Sequence, residues 1–408
     1  MAIIKPFKAL RPQPEKAREV AARPYDVLNT EEARVEAENN PHSFLHITKS
    51  EIDFPPGVDV HSTAVYQKAR LNLDQFISEG ILFRENKPCH YIYQLTMNGR
   101  KQTGLVCISS VQDYFDDVVK KHELTRPEKE KDRIDHMVAT RAQTGNVFLA
   151  YRDVPELNEL IEKWMSSNKP VYDFTASDGI GHRIWIIDDD GVIGSITKLF
   201  QKKVPCTYIA DGHHRAASAA KVSQQLTQSE DAKYFLTTIF PASELRILDY
   251  NRVVKDLNGL SPEDFVEKLQ EDFIVTKAPG PVSPDQLHHF GMYVDNQWYA
   301  LEAKDGTFQQ DPIGVLDVTI LSNNVLDKVL GIKDQRTDKR IDFVGGIRGL
   351  DELERRVNNE EMKAAFSLYP VTIQQLFDIA DTGQTMPPKS TWFEPKLRDG
   401  LLTHTLTS

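Results

Sequence analysis

The stretch Asp211-Gly212-His213-His214-Arg215 brings an acid, a glycine, two imidazoles and a guanidinium into one short segment. An apolar run of β-forming residues precedes it and an alanine-rich run follows it, so the sequence predicts a strand, a turn and a helix. Such a junction directs backbone N–H groups and the positive end of the helix dipole at one point. We expect Asp211 to cap the helix and Arg215 to bind phosphate or carboxylate. Each residue alone is typical of a capped helix with surface histidines, whereas the five together indicate an anion-binding site.

A second polar segment, residues 121–125 (Lys-His-Glu-Leu-Thr), follows a predicted strand. Its His122 and Glu123 place one carboxylate beside one imidazole, which can serve as a general base, although the pair alone is a weak indication. The charged run that follows, residues 128–131, is interpreted as the solvated face of a helix.

The first 27 residues are rich in proline and arginine and end in Arg23-Pro24-Tyr25-Asp26-Val27. Proline before Tyr25 favours an extended or turn conformation. The segment is therefore either a linker or a fixed bend whose side chains line a pocket. On chemistry alone, the two interpretations are equally supported.

A proline-rich stretch near the end of the sequence contains Trp392 and Phe393. Aromatic side chains are unfavourable in water, and consecutive prolines restrict the chain that precedes them. We therefore expect this stretch to pack back over the protein as a strap. The strap is predicted to bring Lys389 and Ser390 to the cleft that contains residues 211–215.

In combination, these motifs resemble a widespread microbial family catalogued as domain-of-unknown-function family 1015. The further motifs that fit this family are Arg23-Pro24-Tyr25-Asp26-Val27, Lys121-His122-Glu123-Leu124-Thr125, Asp132-Arg133 and Met386-Pro387-Pro388-Lys389-Ser390-Thr391. The Asp-Gly-His-x-Arg element also resembles the ParB/sulfiredoxin superfamily, which includes free-serine kinases. In that group the motif cradles nucleotide phosphates, and a glutamate elsewhere activates the substrate hydroxyl.

The resemblance implies an α/β fold (α+β, with mixed sheets) in which a ParB/sulfiredoxin-like core carries an additional C-terminal α/β layer. It implies that residues 211–215 bind nucleotide phosphates, that His213 or His214 donates to the transferring group, and that Glu123 is the base. A nucleoside di- or triphosphate with Mg²⁺ is the implied cofactor, and no residue is assigned as a metal ligand. The candidate substrate-binding residues are Arg23, Tyr25, Asp26, His122, Thr125, Arg133, Lys389 and Ser390.

The composition of the 408 residues, 40% hydrophobic and 27% charged, is typical of a soluble globular protein. A net charge of -11 argues against a protein whose main partner is nucleic acid. The sequence contains no apolar run long enough to span a bilayer and no secretory signal pattern, so we expect a cytoplasmic protein without a membrane partner. The three cysteines provide neither a disulfide framework nor metal-ligand spacing.

Alternating strand and helix patterns predict a core domain over residues 1–255 and a C-terminal α/β domain over residues 256–408. Hairpins are predicted at Asn98-Gly99 and around Asp295-Asn296. Residues 43–49 are predicted to be a strand, and residues 316–330 a helix.

The leading hypothesis is nucleotide-dependent phosphoryl transfer to a small metabolite, most concretely a free amino acid such as L-serine. One alternative is a nucleotide-gated binding or clamp protein of the ParB type. Another is a small-molecule phosphatase that uses the same anion site with water as the nucleophile. The sequence does not separate these alternatives, and it leaves a homodimer open.

Overall fold

The predicted junction at residues 211–215 is present, because a strand ends at Asp211 and a helix begins at His213. The computed structural model describes residues 1–406. It divides the chain into a first unit, Met1–Leu245 with the residues from Pro395 onward, and a second unit, Arg246–Glu394. This division differs from the expected one, since the first unit ends before residue 255 and the end of the chain belongs to it.

The first unit contains a large mixed sheet and smaller two-stranded pairs. Within the described residues, the part of the first unit that precedes the second unit in sequence contains twelve strands. They are β1 Ile4–Lys5, β2 Leu10–Pro12, β3 Leu82–Arg84, β4 His90–Met97, β5 Arg100–Ser110, β6 Val119–Lys120, β7 Ala142–Gln143, β8 Val147–Tyr151, β9 Tyr172–Thr175, β10 Gly181–Ile187, β11 Thr207–Asp211 and β12 Tyr234–Pro241. In the described part of the chain, the large sheet has the order β6-β11-β8-β12-β5-β4-β10-β9, with β1 paired to β5.

Helices pack against this sheet and also build the N-terminal layer of the first unit, whose apolar core is formed by residues between Leu10 and Leu82 together with Ala142. They are α1 Ala17–Val20, α2 Thr30–Ala37, α3 Leu45–Thr48, α4 Thr63–Ser78, α5 Val111–Phe115, α6 Pro127–Thr140, α7 Pro155–Ser167, α8 Asp190–Lys203 and α9 His213–Gln225. Short 3₁₀ turns are found at Pro14–Lys16, Tyr25–Val27, Ser50–Asp53, Asp231–Lys233 and Ala242–Glu244.

The second unit is built on an antiparallel sheet with its own apolar core. Its strands are β13 Ile247–Leu248, β14 Tyr250–Val254, β15 Phe273–Ala278, β16 His289–Val294, β17 Gln297–Ala303, β18 Ile341–Gly345, β19 Ala364–Leu368 and β20 Trp392–Phe393. Its helices are α10 Pro262–Leu269, α11 Asp317–Leu321, a π-helical turn Ser322–Asp327, a 3₁₀ turn Gly346–Arg348, α12 Asp351–Asn358 and α13 Ile373–Asp381. The sheet order is β15-β17-β16-β19-β14-β18, and β13 pairs with β20.

The chain returns to the first unit at Pro395. There, Asp399 forms a β-bridge with Ala22 and Thr403 forms one with Leu10. A final strand, β21 His404–Thr405, pairs with β7. The last described residues therefore join separate parts of the first unit through backbone hydrogen bonds.

Two adjacent strand ends position the polar segments of the sequence. Strands β6 and β11 are parallel, with Tyr208 opposite Lys120. Each strand leaves the sheet at the same edge, so His122 and Glu123 emerge beside the junction that begins at Asp211. Helix α9 packs against α6 and presents its alanines to the core of the sheet, and small side chains allow that close approach.

Several sequence-based expectations can be compared with these elements. Both hairpins are confirmed, as β4–β5 and β16–β17. The predicted strand at residues 43–49 is wrong, because this segment forms α3, whose Leu45 and Ile47 are buried. The predicted helix at residues 316–330 is only partly α-helical, because α11 ends at Leu321 and a π-helical turn follows it.

The coarse prediction of a mixed α/β fold with several sheets is confirmed. Within residues 1–406, no helix is long and apolar enough to cross a membrane.

We predict that Gly104→Ala destabilises the first unit by about 1–3 kcal/mol, the range for overpacking a core. A Cβ atom at Gly104 would lie 2.7 Å from the ring of Phe240, which is itself fully buried. The measurement is the free energy of unfolding in urea. The control is Gly194→Ala in α8, where no atom lies within 4 Å and helix propensity favours alanine. Equal stabilities for the two variants would contradict the packing argument.

Candidate functional site

Helix α9 is entered through a glycine that no other residue replaces easily. Gly212 has φ 99°, in the left-handed region that favours glycine. A Cβ atom there would lie 3.2 Å from the guanidinium carbon of Arg215 and 3.4 Å from Val147 Cα. Among the described residues, no side chain caps the first turn. The expectation that Asp211 caps the helix is therefore wrong, because this residue is the last of β11 and its carboxylate bonds elsewhere.

Arg215 is buried beneath this turn, so its guanidinium is not exposed to solvent as a free donor group. Nη1 donates to the carbonyl oxygen of Asn146, and Nη2 lies 3.3 Å from Asp26 Oδ2 and 3.5 Å from Asp211 Oδ1. Its Nε has no hydrogen-bond partner within residues 1–406. Burial alone would lower the pKa of Arg215, but Asp26 and Asp211 raise it, so the guanidinium is a permanent cation.

Lys396 is a second cation at the end of β11. Its Nζ donates to Asp211 Oδ2 at 3.2 Å. Burial opposes ionisation of Asp211, but Lys396 and Arg215 hold the pKa of its carboxyl well below the usual range. The carboxylate of Asp211 is thus shared by two cations that come from different parts of the chain.

Asp399 is a further buried carboxyl group beside Arg215. Its Oδ1 lies 3.4 Å from the position that a Cβ atom on Gly145 would take, and its Oδ2 has no partner within residues 1–406. Burial, together with the charge of Asp26, raises the pKa of Asp399 to about 8 against the opposing effect of Arg215. Since Asp26 and Asp211 already balance Arg215 and Lys396, a third carboxyl group remains protonated at neutral pH.

His213 is held between Glu123 and His122. The backbone N–H of His122 points at Nε2 of His213 at 3.5 Å, so the ring proton of His213 is assigned to Nδ1. Nδ1 lies 3.5 Å from Glu123 Oε2, and the side chain of Glu123 is 46% exposed. Burial, with His122 adding to it, keeps the pKa of His213 well below its usual value. A neutral imidazole therefore orients a carboxylate that solvent can reach.

The ring of His122 stands edge-on to that of His213, with centroids 4.5 Å apart. It is buried, and within residues 1–406 neither ring nitrogen has a hydrogen bond of ordinary length and angle, although the backbone of Ile209 interacts with the ring. Burial lowers the pKa of His122 to about 4, against the opposing effects of Asp211 and Ile209. A buried polar side chain without a well-formed hydrogen bond is rare in proteins.

His214 faces the start of α6. Its Nε2 accepts the backbone N–H of Arg126 at 2.9 Å, which assigns the ring proton to Nδ1. Nearby, the hydroxyl of Thr125 and the ammonium of Lys221 both donate to Glu130. Glu130 is buried, so the prediction that this charged run is solvated is wrong at this position.

A polar pocket with an empty volume of about 410 Å³ adjoins the site through Tyr25 and Arg133. The guanidinium carbon of Arg133 lies 3.8 Å from the centroid of the Tyr25 ring. A second pocket of about 390 Å³ shares both residues and reaches Arg215. The other ionisable side chains that line the polar pocket are Lys49, Glu51, His61, Tyr66, Asp132 and His136.

The structure gathers most of the sequence-predicted residues but not all of them. Those brought together around α9 are Tyr25, Asp26, His122, Glu123, Thr125, Arg133, Asp211, Gly212, His213, His214 and Arg215. Arg23 instead pairs with Glu36 on α2. Lys389 and Ser390 belong to the second unit, where Lys389 lies over the ring of Tyr250, and their assignment to the site stays a prediction.

Sequence reasoning missed Lys396, Asp399 and Asn146 as members of the site. No spacing pattern marks them, because each reaches Arg215 or Asp211 only through the folded chain. Residues 1–406 contain no group of three or more histidine, cysteine, aspartate or glutamate side chains that could hold a metal ion.

Sequence comparison matches residues 4–319 to the family described as "Protein of unknown function (DUF1015)". Since the match extends over most of the chain, this chain belongs to that family. No protein of curated function matches the chain.

Among solved structures, the chain has distant similarity to a variant of a free serine kinase in complex with AMP, with 15% identity and a TM-score of 0.35 over 70% of this chain and 89% of the other. SbnI with a C-terminal truncation, from Staphylococcus aureus, has 10% sequence identity and a TM-score of 0.37. The match covers 72% of this chain and 85% of the other. A conserved hypothetical protein from Pyrococcus furiosus has 14% sequence identity and a TM-score of 0.34. The match covers 73% of this chain and 94% of the other.

We predict that Asp399→Asn changes how stability depends on pH. The pKa of Asp399 is raised to about 8 in the folded protein, so the folded state binds a proton that the unfolded state releases near pH 4. This contribution to stability is complete below about pH 4 and is lost as the pH rises toward about 8, with a slope of about 1.4 kcal/mol per pH unit. The asparagine variant lacks this loss, so its stability relative to the wild type rises with pH.

The measurement is urea unfolding at intervals from pH 5 to 8. The control is Asp117→Asn: although burial opposes it, Lys120 and Lys121 lower the pKa of Asp117, so this group is ionised in both states over that range. A stability difference between Asp399→Asn and the wild type that stays constant with pH would contradict the assignment.

Proposed function

We propose that this member of the DUF1015 family is a nucleotide-dependent phosphotransferase whose acceptor is a small metabolite, most concretely a free amino acid such as L-serine. The observation that supports this most is the uncapped first turn of α9, entered at Gly212 and flanked by the His213–Glu123 pair. A ParB/sulfiredoxin-like core in the first unit is part of the same proposal, and the strand–glycine–helix geometry at residues 207–225 supports it.

Phosphates bind, in this proposal, at the N-terminus of α9. The first backbone N–H groups of a helix have no intrahelical acceptor, and the helix dipole favours negative charge there. The absence of a Cβ atom at Gly212 leaves room for an oxygen to approach the backbone. Arg215 contributes a fixed positive charge from below, while its hydrogen bonds to Asn146 and Asp26 fix the turn.

Glu123 is the proposed base that takes the proton of the acceptor hydroxyl. The half-exposed carboxylate can meet a substrate, and the Nδ1–H group of His213 holds it in place. Because burial keeps His213 neutral, the proton taken from the hydroxyl stays on Glu123 instead of moving to the imidazole. His214, whose proton is on Nδ1, is the better placed of the two histidines to donate to a phosphate oxygen.

In the transfer, the acceptor oxygen forms a bond to the terminal phosphorus as the bond from that phosphorus to the bridging oxygen breaks. The nucleotide leaves one phosphate shorter, and the hydroxyl proton goes to Glu123. If Mg²⁺ binds with the nucleotide, it would neutralise phosphate charge. Mg²⁺ commonly uses only one or two protein carboxylates, and Asp26, whose side chain is 33% exposed beside Arg215, would be the residue to hold it. Positioning and charge stabilisation account for most of the catalysis in such reactions.

The polar pocket is the proposed acceptor site. Its charges have both signs: Lys49 pairs with Glu51 at 2.9 Å, and Asp132 accepts from Arg133 at 2.8 Å. An amino acid carries an ammonium and a carboxylate a few ångströms apart, so a pocket with carboxylates and cations on its walls complements it. Tyr25 lines this pocket and the next residue contacts Arg215, which links the pocket to the phosphate site.

We predict that Glu123→Gln lowers turnover by about 10²–10⁴-fold with nearly unchanged nucleotide affinity, the size of a lost general base. The assay follows phosphorylation of L-serine and other hydroxyl amino acids with ATP, ADP and CTP as donors, and calorimetry gives the affinity. The control is Glu128→Gln, an exposed carboxylate in the first turn of α6. Hydrolysis of phosphoserine without nucleotide, or loss of fold and affinity together in Glu123→Gln, would contradict the proposal.

We also predict that Lys49→Met raises KM for the amino-acid acceptor by about tenfold or more, the effect of one lost charge-assisted hydrogen bond, without weakening nucleotide binding. The side chain of Lys49 is 13% exposed and lines the polar pocket. The matched control is Lys68→Met on α4, whose ammonium lies 3.7 Å from Asp53 outside that pocket. Steady-state kinetics with each substrate varied in turn separates the two effects. An unchanged KM in Lys49→Met would place the acceptor elsewhere.

A further inference from the structure

The returning segment, residues 395–406, brings a lysine to the proposed phosphate site. Lys396 Nζ lies 3.2 Å from Asp211 Oδ2, and Gly212 and the first turn of α9 follow directly after Asp211 in the chain. About a fifth of the Lys396 side chain, 18%, is exposed, compared with 9% for Arg215. Lys396 is therefore the more accessible of the two cations that share this carboxylate.

Arg398 fixes the position of this segment. Its backbone N–H donates to the hydroxyl oxygen of Tyr93 at 3.3 Å, and its Nε donates to Nε2 of His182, also at 3.3 Å. Its Nη2 pairs with Asp178. Burial, with Arg398 adding to it, lowers the pKa of His182 to about 3, which keeps that ring a neutral acceptor.

The backbone holds the same segment on either side of the site. Asp399 bridges to Ala22, four residues before the Asp26 that contacts Arg215. Thr403 bridges to Leu10, and β21 pairs with β7. A lysine anchored in this way has its backbone fixed, while its long side chain retains the freedom to change partners.

The charges around Lys396 and Arg215 indicate which of the two side chains would contact a bound phosphate. The guanidinium of Arg215 is buried and already contacts Asn146, Asp26 and Asp211 through Nη1 and Nη2, so these contacts hold it in place, and its Nε is the nitrogen left without a partner within residues 1–406. Lys396 has three donors on a compact ammonium, and its side chain is more exposed than that of Arg215. A phosphate carries more negative charge than one carboxylate and competes effectively for that ammonium.

We propose that Lys396 is a phosphate-contacting residue of this site: its ammonium is paired with Asp211 in the ligand-free protein and contacts the terminal phosphate when a nucleoside di- or triphosphate binds. The proposal rests on the function proposed above. It adds a second positive charge, from the returning segment, to the fixed charge of Arg215, whose hydrogen bonds also hold the site together.

The test compares binding of ADP, inorganic pyrophosphate and adenosine to the wild type and to variants by calorimetry. Lys396→Met should weaken binding of ADP and pyrophosphate by about 10- to 100-fold, since a charge-assisted hydrogen bond is lost, and should reduce the salt dependence of that binding. Lys396→Arg should stay within a few-fold of the wild type. The control is Lys203→Met on α8, whose exposed ammonium pairs with Glu156.

Adenosine distinguishes a phosphate contact from a structural effect. If Lys396→Met weakens adenosine and ADP equally, or if it binds ADP as the wild type does, the assignment of Lys396 is overturned while the proposed function stands. If the wild type binds neither ADP nor pyrophosphate, the proposed function fails and the assignment fails with it. Lys396→Gln is measured in parallel, so that an unfolded methionine variant does not decide the outcome.

Discussion

The buried guanidinium of Arg215 is the constraint on which the site depends. A cation removed from water is strongly destabilising unless hydrogen bonds and opposite charges surround it. Here the partners come from separate regions of the chain: Asp26 from the N-terminal layer, Asn146 from the turn before β8, and Asp211 from the end of β11. Satisfying one side chain therefore fixes the relative positions of three backbone segments, and the first turn of α9 is placed by the same contacts.

Strand order accounts for the other half of the site. The parallel pairing of β6 and β11 brings two strand ends to one edge of the sheet, and the side chains that follow each strand meet there. As a result, His122 and Glu123 contact His213 although about 90 residues separate them in sequence. The pairing of His213 with Glu123 is therefore a consequence of sheet topology. The backbone N–H group of His122 points at Nε2 of His213, which assigns the ring proton to Nδ1.

Local patterns predicted the parts of this arrangement that local chemistry controls. The strand, glycine and helix at residues 207–225 and both hairpins follow from propensity and turn residues, which act over a few positions. The helix at residues 45–48 was missed because its short apolar alternation fits a strand equally well, and burial in the N-terminal layer decides between them. Asp399 and Lys396 could not be found in this way, since each meets the motif only across more than 180 residues. The burial of Arg215 and Glu130 is likewise a property of packing, and composition presents both as ordinary surface charges.

The interruption of the first unit has a consequence for the order in which the site can form. Strands β13 and β20, at the start and end of the second unit, pair with each other, so the chain enters and leaves that unit at neighbouring points. The ribosome therefore synthesises the whole of Arg246–Glu394 between the motif and the residues that complete its surroundings. During translation, Arg215 is made long before Lys396 and Asp399. The partners of Arg215, namely Asp26, Asn146 and Asp211, are all made before it, but Asp211 lacks one of its two cations until Lys396 emerges.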